Sequence, residues 1–337
     1  MGHRRGACRH VRHRFRAGAI ATRQRFGAGR RIVLVLAGVL LGAYTRVLGA
    51  RAIGGAILST AALAILGPSL HSPCDAETRY HCVQIKYFAE EAAGRFLVLD
   101  GGYNSYVSLK EPRNLLFPYT LWIAEEVKLH GKPTAPLDAV FVGGGGFTLP
   151  RWLAATRPGS RSNVLEVDGQ LVEFDRQHLG LHTSPALRAT VGDARVTMRR
   201  ERTHSADLVV GDAFTGHTIP WQLMTVEWLR EVQRVLKPDG FYALNIIDLR
   251  PLSLLRAEIA TLLKVFRNLR MVTTAGEDGR PRGDNAILFA SNSPLPLRQG
   301  EPLDEGTVFE RDALVRLAAG ARTLTDDYAP VDQLETR

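Results

Sequence analysis

The run Ala139-Val-Phe-Val-Gly-Gly-Gly-Gly146 sets four apolar residues directly before four glycines, and a helical pattern follows. That is the order of a buried strand, a tight loop and a helix start. Glycines lack a Cβ, so the backbone can approach a ligand, and the free N–H groups of the helix face it. The same order recurs downstream. Strand-like residues 163–167 precede helical 170–179, and 189–191 precede 194–200. Residues 207–210 precede a long loop and a helix at 225–236, which ends at Pro238-Asp-Gly240 before a strand at 241–247. A helix at 254–266 and strands near Met271 and at 286–290 complete the series. This alternation predicts an α/β fold with a doubly wound, mostly parallel Rossmann-like sheet, whose ligand lies beyond the carboxyl ends of the strands.

Acidic residues stand at three successive strand ends. Glu166-Val-Asp168 closes the second strand, about 20 residues after the glycines, where a carboxylate bridges ribose hydroxyls in this architecture. Gly192-Asp193-Ala194 closes the next strand, and Gly211-Asp212-Ala213-Phe214 closes the one at 207–210. Asp168 and Asp193 read equally simply as helix N-caps, and for Asp168 that role is compatible with ribose binding by Glu166. The glycine spacing does not match the dinucleotide pattern G-x-G-x-x-G, so the loop alone names no ligand. Loop and carboxylates together predict an adenosine-containing ligand held by Gly143, Gly144, Gly145, Glu166, Asp168, Asp193 and Ala194, with Asp212 over its reacting end.

Ahead of the loop, residues 80–109 alternate in strand fashion through Val83, Ile85 and Tyr87, then Phe96-Leu-Val-Leu99, then Tyr106, Val107 and Leu109. A turn at Asp100-Gly-Gly102 completes a small antiparallel β-domain. Residues 115–128 have helical spacing after Pro112, and 131–136 form a link. The expected organisation is a basic tail at 1–31, transmembrane segment(s) at 32–70, the β-domain at 75–112, a Rossmann-like domain at 113–300 and a C-terminal extension at 301–337.

The 337 residues are 45% hydrophobic and 23% charged, which excludes wholesale disorder, collagen and a polytopic transporter. The net charge of +9 is unevenly placed. Residues 1–74 hold 12 of the 43 Lys+Arg and none of the 34 Asp+Glu, leaving 31 basic and 34 acidic residues for the body. A nucleic-acid binder carries its positive charge on the folded body, so nucleic acid is not an expected partner. Ten arginines at 4–31 read as a disordered segment or one lying on an anionic surface. Residues 32–44 form an uncharged run of 13 and 52–70 one of 19, the second long enough to span a bilayer at about 20 residues per crossing. A cleaved signal or a buried helix is the alternative.

The arginine count favours an exported body by the positive-inside rule, which would put Cys74 and Cys82 where disulfides form. A two-crossing hairpin would instead return the body to the cytoplasm, where nucleoside cofactors are plentiful. Membrane anchoring with a cytoplasmic body is the expectation taken forward.

Tyr119 either orients a substrate or belongs to the core face of its helix. His217 and Trp221 fall in the loop after Asp212, where a lid over the ligand is expected. Asp248 faces the cleft or caps the turn before Pro251, and Asp326 and Asp327 hold a cation or are solvated turn residues. No Cys or His set has metal-ligand spacing, so no metal is expected.

From Tyr80 to about Ser291 the sequence resembles the spermidine synthase family of aminopropyltransferases. The carriers are Leu97-Val-Leu-Asp-Gly101, Val142-Gly-Gly-Gly145, Glu166-Val-Asp168, Gly192-Asp193 and Asp207-Leu-Val-Val-Gly-Asp212. Pro73-Cys74 with Cys82, Asp212-Ala-Phe214, Pro220-Trp221, Asn245-Ile-Ile-Asp248 and Thr325-Asp-Asp-Tyr-Ala-Pro330 resemble its bacterial membrane-fused branch. The resemblance implies a methyltransferase-type fold with S-adenosylmethionine or its decarboxylated form as co-substrate, and no metal. It also implies Glu166 on the ribose and Asp193 on the adenine amino group. Asp212, with Tyr119 and His217 as auxiliaries, would serve catalysis on a small polar acceptor such as a polyamine. A homodimer is carried as an expectation.

Two positions depart from that family. Its members carry Gly-Gly-Gly-Asp-Gly-Gly, whose aspartate holds the cationic aminopropyl end, where this chain has Gly146. They carry Asp-Ser-Ser-Asp-Pro, whose second aspartate takes the amine proton, where this chain has Asp212-Ala-Phe-Thr215. Three outcomes stay open: slowed aminopropyl transfer, methyl transfer from the intact cofactor, and ligand sensing without turnover. Restoring both aspartates is expected to raise aminopropyl transfer.

Overall fold

The computed structural model describes residues 72–214, 218–296 and 306–335. The chain divides after Pro73 into two units, and the architecture is that of the second, Cys74–Arg337. The arginine-rich tail, the apolar runs at 32–70, Thr215 and His217 lie outside the described residues. Among the described residues no helix is long and apolar enough to cross a membrane.

Strands β1 (Ala76–Glu77), β2 (Cys82–Tyr87), β3 (Gly94–Leu99) and β4 (Gly102–Ser108) form an antiparallel sheet in chain order. Asp100 and Gly101 take φ of 53° and 88° between the paired Leu99 and Gly102, the two-residue Asp-Gly reversal that matches strand twist. A disulfide joins Cys74 to Cys82 and closes the hairpin between them.

Helix Pro118–Leu129 follows, opened by Pro118 where an N–H has no partner to lose. The second sheet contains β5 (Asp138–Val142), β6 (Arg161–Glu166), β7 (Leu187–Val191), β8 (Ala206–Gly211) and β9 (Leu236–Asp248). It also contains β10 (Asn268–Ala275), β11 (Pro281–Ser291) and β12 (Thr307–Glu310), in the order β12-β10-β11-β9-β8-β5-β6-β7. Pairing is parallel from β7 to β9 and antiparallel from β9 through β11 and β10 to β12. The sheet is therefore mixed, where a mostly parallel one was expected. The cause is local: β10 and β11 are joined by a short turn in which Gly276 N donates to Arg280 O, and a short turn joins only antiparallel strands.

Strand β9 also starts earlier than the expected 241. Helix Val226–Val235 ends before Leu236, which is already extended, and residues 237–240 bulge opposite Asp207 because Ala206 pairs with Leu236 and Leu208 with Phe241. Lys237 is held there by Asp207 at 2.8 Å and Asp138 at 3.4 Å.

Along β5, Ala139 and Phe141 enter one buried cluster and Val140 and Val142 the other, as alternation across a pleat requires. Helix Val226–Val235 packs with the second cluster, and helices Pro118–Leu129 and Thr148–Thr156 with the first. The chain moves outward from β5 to β7, then returns to place β8 on the other side of β5. Reversal of strand order leaves a crevice at the carboxyl ends of β5 and β8, which is where Gly143 and Asp212 lie.

Candidate active site

Gly143 has φ of 94°, and a Cβ there would stand 2.3 Å from the Asp212 carbonyl oxygen. Only glycine lets the two strand ends close, through Gly143 N to Leu165 O and Asp212 N to Val142 O, both 2.9 Å. Gly144 N then donates to Glu166 Oε2 at 2.7 Å, and Asp168 N donates to Glu166 Oε1 at 2.8 Å. The Glu166 side chain is thus aimed back at the glycine loop, and burial pushes its carboxyl above the ordinary value against the pull of those two N–H groups.

The two other carboxylates expected around the ligand act as helix caps. Asp168 is 1% exposed, and its Oδ1 accepts from Gln170 N and Leu171 N at the start of helix Gly169–His178. Asp193 is exposed on the rim, with Oδ1 accepting from Arg195 N at 2.7 Å, and Ala194 opens the short helix Ala194–Thr197. Glu166 accounts for two backbone donors and still has acceptor directions left, because a carboxylate offers about four.

Gly145 and Gly146 lie against β4. Gly146 N donates to Ser105 Oγ at 3.1 Å, and a Cβ at 146 would meet Val107 Cγ2 at 2.7 Å and Ser105 Cβ at 3.2 Å. The absence of the family's aspartate is therefore built into the packing of this loop.

At the reacting end the structure joins residues from three elements. Tyr119 OH donates to Asp212 Oδ2 at 3.2 Å, and Asn245 Nδ2 donates to Asp212 Oδ1 at 2.8 Å. Behind it, Asn285 Nδ2 donates to Asn245 Oδ1 at 2.9 Å. Burial raises the Asp212 carboxyl, partly offset by the bonds from Asn245 and Tyr119. Burial and the adjacent Asp212 push the Tyr119 phenol well above its usual value, so it stays a donor. Asn285 gave no signal in the sequence, being an unremarked residue in a strand.

His81 was also missed. It sits on the disulfide-closed hairpin, bonded through Nδ1 to Asp100 Oδ2 at 2.8 Å, near enough to Glu166 to act on its carboxyl electrostatically. Arg79 N donates to Gln170 Oε1 at 3.0 Å, fastening that hairpin to the helix after Asp168.

Three other candidates are placed elsewhere. Asp248 is 2% exposed and accepts from Leu255 N at 3.0 Å, tying the end of β9 to helix Ser253–Leu262. Asp326 pairs with Arg195 and accepts from Thr225 Oγ1 at 2.7 Å. Trp221 is 48% exposed at the start of the short turn Trp221–Leu223. Among the described residues no cluster of His, Cys, Asp and Glu is arranged to hold a metal ion.

No family model matches the chain. The polyamine aminopropyltransferase of Vibrio vulnificus is 26% identical over 242 residues, spanning 67% of this chain and 78% of that protein. The chain is similar, at modest identity, to members of the spermidine synthase family. The structure of a probable spermidine synthase from Corynebacterium glutamicum superposes with a TM-score of 0.68, covering 77% of this chain and 99% of that one, at 24% identity, a likeness of fold. The N-terminal histidine N-methyltransferase of Emericella nidulans is 26% identical over 210 residues, but the match spans only 36% of that protein. The chain therefore shares the fold with these proteins and has a glycine loop with Glu166 aimed at it, while the loop is packed closed at Gly146, where the resembling family carries an aspartate.

Proposed function

We propose that the chain is a transferase that binds an S-adenosylmethionine-derived nucleoside and alkylates a small polar acceptor, by aminopropyl transfer from decarboxylated S-adenosylmethionine to an amine. The observation that carries this reading is the Tyr119–Asp212–Asn245 cluster at the end of β8, across the crevice from Glu166 on β6. In this reaction the amine nitrogen attacks the carbon bonded to the sulfonium, the carbon–sulfur bond breaks, and methylthioadenosine leaves. The proton lost by the nitrogen passes to Asp212. A carboxyl raised by burial is a better base near neutral pH than an exposed one, which supports Asp212 in the proton-accepting role that the resembling family gives to the second aspartate of its Asp-Ser-Ser-Asp-Pro run. The rest of the barrier is met by positioning and by the fixed dipoles around the crevice.

The test is mass-spectrometric detection of product from the full chain with decarboxylated S-adenosylmethionine and putrescine. Asp212→Asn should lower the rate by about 10²–10⁴-fold, the span for a lost general base. Wild-type chain that makes no aminopropyl product with any amine would refute the reading.

Methyl transfer is the second reading, favoured by one observation. Gly146 packs on Val107 and leaves no room for the carboxylate that grips an aminopropyl ammonium and repels the carboxylate of the intact cofactor. Transfer of label from methyl-labelled S-adenosylmethionine, without transfer from the decarboxylated donor, would select it.

We further propose that residues 32–70 anchor the chain in a membrane, as in the membrane-fused branch of the family. For sidedness, the Cys74–Cys82 disulfide supports an exported body, in agreement with the arginine-only tail. The cytoplasmic alternative rests on cofactor supply. Alkylation of both thiols in intact, unreduced cells would place the body in the cytoplasm.

A further inference from the structure

We propose that Asn245 and Asn285 are positioning residues, an amide pair that fixes how the Asp212 carboxylate is presented to the acceptor. The proposal rests on the reading above that Asp212 meets the acceptor.

The pair is defined by strand pairing. Asn245 on β9 stands opposite Ile287, and Asn285 on β11 stands opposite Ile247, so the two asparagines are diagonal neighbours on antiparallel strands. Asn245 is 2% exposed and has both ends of its amide engaged, Nδ2 with Asp212 Oδ1 and Oδ1 with Asn285 Nδ2. The main chain of Asn285 is itself held, because Thr273 Oγ1 on β10 donates to its carbonyl at 2.8 Å.

The donor sense of this chain is forced from one end. An ionised carboxylate only accepts, so Asn245 must turn its NH2 toward Asp212, which leaves its oxygen facing away and in need of a donor. Asn285 supplies that donor. Without it the buried Asn245 oxygen lacks a donor, so the orientation that presents its NH2 to Asp212 Oδ1 is held by that one bond alone and costs an unsatisfied acceptor, which weakens the grip on the carboxylate. The other carboxylate oxygen is fixed independently by Tyr119, the titratable group that meets Asp212 from helix Pro118–Leu129. Among the described residues, no charged side chain on the packed elements shifts Asp212.

The experiment follows the carboxyl stretch of Asp212 with pH by isotope-edited infrared spectroscopy of the full chain labelled with ¹³C-aspartate, with Asp212→Asn identifying the band. Asn285→Leu removes the donor without adding charge. It should raise the pH of half-titration by about one unit, the equivalent of losing a hydrogen bond to an ionised group. Asn285→Gln keeps the donor and should stay within about 0.3 of a unit of wild type. Asn285→Ala provides the same donor loss should Leu be poorly accommodated.

Unchanged titration in both Asn285→Leu and Asn285→Ala would overturn the proposal, and so would an equal shift in Asn285→Gln, since packing alone would then explain it. The readout needs no substrate. A shifted titration in a chain that turns over no amine would uphold the amide pair and refute the transferase reading separately.

Discussion

Replacing Glu166 with Gln probes the ligand site where it is most constrained. In the wild type, Oε2 accepts from Gly144 N at 2.7 Å and Oε1 from Asp168 N at 2.8 Å, leaving further acceptor directions for two ribose hydroxyls. Gln offers one oxygen and one NH2. One backbone N–H then faces a donor, and one ribose hydroxyl loses its acceptor. A hydrogen bond to a charged group contributes about 1.5–3 kcal/mol, so methylthioadenosine or S-adenosylhomocysteine should bind on the order of 10- to 100-fold more weakly.

The pH dependence supplies a second reading of the same site. Burial raises the Glu166 carboxyl, and ribose hydroxyls donating to it in the proposed complex would favour its ionised form. Wild-type affinity should therefore be level above that raised pKa and fall as pH drops through it, by up to about tenfold per unit. The Gln variant should lack the fall. Calorimetric titration of the full chain between pH 4.5 and 8, with thermal unfolding of both proteins as the control for folding, measures both effects. A loss of affinity under threefold, or the same pH dependence in both proteins, would show that the ribose is held elsewhere.

Gly146→Asp alone should destabilise the chain by about 1–3 kcal/mol and weaken nucleoside binding, because its Cβ would meet Val107 Cγ2 at 2.7 Å. Pairing it with Val107→Ala should recover stability in thermal unfolding and give any gain in aminopropyl transfer; a gain from Gly146→Asp by itself would mean that the loop yields easily. Tyr119→Phe removes a donor that favours the ionised carboxylate, so it should raise the pH below which Asp212 loses activity, and it should also raise the Michaelis constant if the phenol orients the acceptor; initial-rate kinetics across pH separate the two effects, and an unchanged Michaelis constant would count against orientation. Glu258 is 0% exposed with both carboxyl oxygens unpaired, so Glu258→Met should stabilise the fold by about 1–3 kcal/mol at neutral pH. Its folded-state pKa lies well above the unfolded value, so the wild type keeps its full stability below about pH 4.3 and loses it as pH rises toward the folded pKa. The advantage of Met should accordingly grow with pH in denaturant titrations and vanish in acid; a pH-independent difference would show that Glu258 is paired.

Much of this protein was legible from local signals. The apolar run into Gly143, the carboxylates at 166, 193 and 212 and the Asp100-Gly101 reversal follow from periodicity and turn chemistry, which act over a few residues. Sequence placed Glu166 and Asp212 at strand ends, and each lies there. It left Asp168 and Asp193 with two roles because a carboxylate before a helix caps it whether or not a ligand is near.

Only the tertiary structure decided which strand ends meet. Tyr119 and Asp212 are 93 residues apart in sequence, and Asn245 and Asn285 are 40 apart. Their contacts depend on β8 returning beside β5 and on β11 pairing antiparallel with β9. The same holds for His81 beside Glu166 and for Val107 against Gly146. Such contacts arise when whole faces of sheets and helices bury together, a global condition that local residue patterns do not encode one pair at a time.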